Sequence, residues 1–109
     1  MAFTVLLTED AAGDLRELYA FIAKHDSLDK AEYLLKQIEK KLAGLSELPE
    51  RGVYPRELES LGIREYREIF FQLYRIIYRV VHEIVYVYLI MDGRRDMQTL
   101  LQRRLLGAL

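Results

Sequence analysis

Tyr74-Arg75-Ile76-Ile77-Tyr78-Arg79-Val80-Val81 and, two residues later, Ile84-Val85-Tyr86-Val87-Tyr88-Leu89-Ile90-Met91 decide the fold class. Both stretches are dense in Tyr, Val and Ile, side chains that fill a pleated, half-buried surface well. Tyr66 to Phe71 has the same character. The connectors Gln72-Leu73 and His82-Glu83 are too short for anything but hairpins, so the three stretches predict an antiparallel meander. Neither connector is an Asn-Gly type turn. Asp92-Gly93 closes the last strand.

Working back toward the N-terminus, the period changes. Phe3 to Leu7 reads as a short first strand. Thr8 is placed to cap a helix whose first turn holds Glu9 and Asp10, where carboxylates favour the helix dipole. Ala11, Leu15, Leu18, Tyr19 and Ile22 fall on one helical face, and that helix stops near His25. Asp26 or Ser27 caps a second helix with the stripe Ala31, Leu34, Leu35, Ile38, Leu42 and Leu45, ending before Pro49. The short connection makes the two helices an antiparallel hairpin. Residues 50–62, with Gly52, Pro55 and Gly62, read as a loop. Asp96 to Leu106 forms a short terminal helix with Leu100, Leu101 and Leu105 inward and Arg103 and Arg104 outward. The expected fold is therefore α+β, one domain over residues 1–109. A helical hairpin packs on a mostly antiparallel four-stranded sheet, and a short C-terminal helix follows.

Composition narrows the chemistry. With no cysteine, disulfides, thiolate nucleophiles and zinc–thiolate sites are excluded; the reading is compatible with a reducing cytosol, and a cytoplasmic location is expected. The N-terminal apolar run is short and meets Glu9 and Asp10 at once, so neither a signal peptide nor a membrane span is expected. There is no Gly-rich phosphate loop and no His/carboxylate spacing for a metal, so no cofactor and no metal are expected. Charge is unevenly spread. Residues 1–63 carry 8 basic and 12 acidic side chains, residues 64–109 carry 8 and 5, and every basic residue of the second part is arginine. Arginine offers a flat fork that grips phosphate or carboxylate at two points.

Alternation along 74–81 sends Tyr74, Ile76, Tyr78 and Val80 one way and Arg75, Ile77, Arg79 and Val81 the other. Burying an unpaired guanidinium is costly, so the helices are expected on the first set, with Arg75 and Arg79 outward. Arg67 is a candidate for the same face, and Arg94 and Arg95 follow the last strand. The result is an arginine cluster with neighbouring tyrosines, suited to an RNA backbone or an acidic protein segment. The competing reading is that two or three of these arginines pair with Glu65, Glu68 and Asp96. His25 and His82 are read as surface residues.

Tyr74 to Val80, Val85 to Ile90 and Gly93-Arg94-Arg95-Asp96 resemble, in that order, the C-terminal half of RelE/ParE toxins of type II toxin–antitoxin systems. Glu9-Asp10-Ala11, Asp14-Leu15 and Tyr19 to Ala23 resemble the ParE-like opening helix. The resemblance covers nearly the whole chain. It implies a cognate antitoxin that wraps the toxin, and a target that is DNA gyrase for ParE-type members or mRNA on the ribosome for RelE-type nucleases. No membrane association and no direct DNA binding by the toxin alone are implied. For a nuclease, Arg75, Arg95 and Arg67 would be the catalytic candidates. Arg75 matches the family arginine after the strand tyrosine, and Arg95 matches the one after the glycine turn. The lysines the family pairs on the preceding strand are not kept, and Arg67 substitutes for one of them at most. The family's C-terminal tyrosine has no counterpart, since Leu101 or a neighbour stands there and no Tyr or His follows Tyr88. Arginine stays protonated and is a poor general base. The resemblance therefore favours the ParE-type reading, a gyrase-binding toxin, with the endoribonuclease as alternative. Arg67, Arg75, Arg79, Arg94, Arg95, Arg103 and Arg104 are its candidate target- or antitoxin-binding residues.

Overall fold

A computed structural model of the chain describes residues 2–107. The elements run β1 (Thr4–Leu7), α1 (Glu9–His25), α2 (Leu28–Glu47), α3 (Arg56–Glu59), β2 (Arg67–Phe71), β3 (Tyr74–Val81), β4 (Ile84–Asp92) and α4 (Met97–Leu105). Local chemistry sets the helix starts. The Thr8 hydroxyl accepts from Ala11 N at 3.1 Å and the Ser27 hydroxyl from Lys30 N at 3.1 Å, each satisfying a donor that the first turn leaves open. The α1–α2 hairpin is tied across by the Tyr19 hydroxyl, which donates to Glu32.

The sheet order is β1-β4-β3-β2, with β1 parallel to β4 and the other pairs antiparallel. Ala11, Leu34, Ile38, Leu42 and Leu45 of the hairpin bury against Ile69, Ile76, Tyr78, Val85, Val87 and Ile90 of the sheet. Each large aliphatic side chain removed from water here contributes about 1.5–3 kcal/mol. The face expected of β3 is the face observed.

In β4 the parity breaks. Ile77 opposes Leu89 but Tyr78 opposes Val87, so Tyr88 is an extra residue with no partner on β3. Such a bulge shifts every later side chain to the opposite face. This is why Val85 and Val87 share the hairpin side with Ile90, while Leu89 lies on the other side.

That other side, toward which Arg75 and Arg79 were expected to point into solvent, is covered at its centre. Leu58, Tyr66, Ile77, Leu89, Met97 and Leu101 form a second buried cluster under α3 and α4. The reason is the apolar stripe of α4: its best burial is on Ile77 and Leu89, which the hairpin leaves uncovered. The stretch 50–62 is also more ordered than the expected loop. It contains α3 and an isolated bridge from Val53 to Glu68 at the sheet edge. Both two-residue hairpins begin on a non-glycine residue of positive φ, Gln72 at 53° and His82 at 57°.

Candidate functional site

The arginines that the sequence placed together on an exposed face are divided among four environments. Arg75 is buried, with 7% of its surface exposed. Its Nη1 and Nη2 donate to the two carboxylate oxygens of Glu57 at 2.8 and 2.7 Å, and its Nε donates to Glu68 Oε1 at 2.7 Å. The expectation that Arg75 faces outward is thus corrected. Burial is tolerated because every face of the fork meets an ionised partner. Gly93 makes room for it, since a Cβ there would lie 2.7 Å from Arg75 Cδ. The glycine of Gly93-Arg94-Arg95 is a packing requirement of Arg75.

Arg104 was expected outward and is turned inward. Its Nη1 donates to Asp14 Oδ2 and to the Tyr88 carbonyl, both at 2.8 Å, and its Nη2 to Asp14 Oδ1 at 3.1 Å. Asp14 also accepts from Ile90 N at 3.0 Å. β1 ends opposite Val87, so β4 continues past its partner, and these side chains satisfy the main-chain groups that the bulge and the missing strand leave over.

Arg67 is half-buried and donates to the Gly52 carbonyl at 2.9 Å, its guanidinium 4.8 Å from the Tyr54 ring centroid. Arg79 lies 5.9 Å from the Tyr66 ring. Arg94, Arg95 and Arg103 are exposed. Arg94 is paired with Asp92 at 2.7 Å, and Arg95 Nη1 lies 3.1 Å from Met91 Sδ. Of the expected acidic partners, Glu68 holds an arginine, while Asp96 instead caps α4 by accepting from Thr99 N. His82 sits exposed in its turn, and His25 packs on Phe21 with ring centroids 4.4 Å apart. Among the described residues no cluster of His, Cys, Asp or Glu is arranged to hold a metal ion, and no helix is long and apolar enough to cross a membrane.

The sequence matches the family described as ParE toxin of type II toxin–antitoxin system, parDE, over residues 5–97. The chain belongs to the ParE toxin family. Solved structures agree on the fold. A chain of the chromosomal ParDE toxin–antitoxin system of P. aeruginosa superposes with a TM-score of 0.69 at 16% identity, covering 84% of this chain and 96% of that one. A free-state mutant of the E. coli toxin RelE gives 0.65 at 20% identity with both chains fully covered. A chain of the RelBE2 toxin–antitoxin complex of Mycobacterium tuberculosis gives 0.61 at 20% identity, covering 84% of this chain and 99% of that one. Among curated proteins no sequence match was found.

In this ParE-family chain the two carboxylates on Arg75 are held in opposite ways. The Arg75 hydrogen bonds hold Glu57 below its usual range. Burial pushes Glu68 above it, outweighing its single bond from Arg75. Two carboxylates on one guanidinium leave the buried trio one negative charge in excess, and the more buried member carries the strain. A carboxylate raised in the folded state binds its proton more readily when folded, so its contribution to stability improves as pH falls through the raised value. The depressed Glu57 contributes stability that is lost only as pH falls through its lowered value. The contribution of this pair should therefore rise as pH falls through the raised Glu68 value and decline as it falls further through the lowered Glu57 value. Glu68→Gln should flatten the rising limb in urea melts taken across that range; an unchanged limb would mean that Glu68 is not its source.

Glu57 and Asp14 are the residues that sequence reasoning missed. Glu57 is one carboxylate in an irregular segment, with no periodicity to mark it. Asp14 left a weaker trace, a carboxylate on α1 in line with the apolar residues facing the sheet.

Proposed function

We propose that this toxin acts by binding DNA gyrase, and that it is held inactive by a cognate antitoxin. The observation that carries this reading is the state of Arg75. A nuclease of the RelE type would need that guanidinium free to hold a scissile phosphate, and here its fork is closed by Glu57. The acid–base side of such a site has no support either. Tyr88, the tyrosine nearest the C-terminus, has its hydroxyl pushed up by burial and by Tyr66, so the phenolate that a general base would need is scarcer near neutral pH. Arg94, Arg95 and Arg103 keep exposed guanidiniums and are assigned to target or antitoxin contact. Arg67 and Arg79 are assigned secondary contacts, and Arg75 and Arg104 act through the fold. The kinship with toxins of the ParDE and RelBE2 systems supports the antitoxin.

Purified gyrase decides the target. The free chain should inhibit supercoiling at stoichiometric concentration, and the antitoxin encoded beside it should restore activity. Unimpaired supercoiling, together with mRNA cleaved on translating ribosomes, would replace this reading with the endoribonuclease.

A further inference from the structure

We infer that the outer edge of β2 around Phe70 is a docking edge, where an extended acidic segment of a partner protein adds as a short fifth strand. β2 is the last strand of the sheet. The N–H and C=O of Glu68 both turn outward to Val53, at 2.7 and 3.0 Å. Strand alternation turns the same groups of Phe70 to the same side. Running back from Val53 the chain leaves β2, because Arg51 N turns to the Leu48 carbonyl. A cleft of about 230 Å³ opens there between Arg51 and Phe70. A second cleft of about 380 Å³ lies on the other flank of Phe70, reaching Leu73 and Arg94. Phe70 is 46% exposed and Val53 57%.

An exposed apolar edge strand is usually blunted by a proline, a bulge or a lysine, and Phe70-Phe71-Gln72 has none of these. Clefts on both flanks of a free edge match strand addition, in which main-chain bonds supply affinity and alternate side chains enter pockets on either side.

Charge selects the occupant. Lys41, Arg51 and Arg56 line the two clefts, while the other charges there are already matched, Arg94 by Asp92 and Arg75 by Glu57 and Glu68. A second copy of this chain would bring like charges together. An acidic segment neutralises them, and a peptide, unlike a nucleic acid, also satisfies the Phe70 main chain.

The inference rests on the proposed antitoxin, and its test separates the two. Amide hydrogen exchange is measured on the free chain and on its complex with the neighbouring antitoxin. The Phe70 amide should exchange freely in the first and be slowed at least tenfold in the second. Lys41→Glu with Arg51→Glu, both away from the buried clusters, should weaken the complex more than tenfold. A stable complex in which Phe70 still exchanges freely overturns the docking edge while leaving the antitoxin in place. Failure of any complex to form overturns the antitoxin reading itself. Equal protection of Phe70 by a single-stranded oligonucleotide would overturn the peptide in favour of nucleic acid.

Discussion

Arg75→Ala is expected to cost about 3–5 kcal/mol of stability, the range for removing one partner of a buried ion pair. Two effects add. The fork that spans Glu57 and Glu68 is lost, and both carboxylates remain in a site where their side chains are 13% and 6% exposed. A domain of this size has about 5–15 kcal/mol in total, so the variant should be partly unfolded in cells. Equilibrium urea denaturation reads the effect as a lower midpoint at constant slope. Replacing all three groups, Arg75→Met with Glu57→Gln and Glu68→Leu, should recover most of the loss, because the unpaired charges go with the pair. A loss under about 1 kcal/mol in the single variant would mean that the trio is open to water and Arg75 free for a ligand. If the large loss is seen, loss of toxicity in Arg75→Ala reports folding. Arg94→Ala with Arg95→Ala is then the informative test of the surface, since both side chains lie outside the buried clusters.

Asp14→Ala should cost about 2–3 kcal/mol, the scale for leaving a buried donor unmatched and a partly buried arginine unpaired. One carboxylate receives the Ile90 amide and both terminal nitrogens of Arg104, so its removal loosens three elements: α1, the end of β4 and α4. The loss should be uneven. α4 packs through Met97 and Leu101 but is anchored at its C-terminal turn by Arg104, so it should exchange its amides faster than the α1–α2 hairpin does. Asp14→Asn keeps an acceptor for Ile90 and should lose less. Unchanged exchange at Ile90 and along α4 in the alanine variant would show that the apolar contacts alone dock this helix.

Both results bear on how the toxin face is built. The strand arginine and the glycine turn behind it, which look like functional signatures in the sequence, are joined by packing: Gly93 is small because Arg75 passes beside it. The exposed guanidinium surface is narrower than seven arginines suggest. Of those seven, Arg94, Arg95 and Arg103 are exposed.

The sequence by itself determined what repeats locally. Thr8 was legible as the start of α1, and Asp26 or Ser27 as the start of α2, because a side-chain oxygen next to an apolar stripe meets an amide of the first turn; the structure gives that place to Ser27. Alternation in β3 put Ile76, Tyr78 and Val80 under the hairpin, and the family likeness was legible in the same strands. Only the tertiary structure decided where single charged side chains go. Arg75 faces the side that alternation predicts, yet α3 brings Glu57 over it from a segment without periodicity. Arg104 lies on the outward half of its own helix pattern, yet the bulge at Tyr88 leaves a carbonyl that draws it in beside Asp14. Periodicity records which face of an element is apolar. It carries no record of which distant segment arrives to cover that face, and a buried charge is stable only with the partner that such a segment delivers.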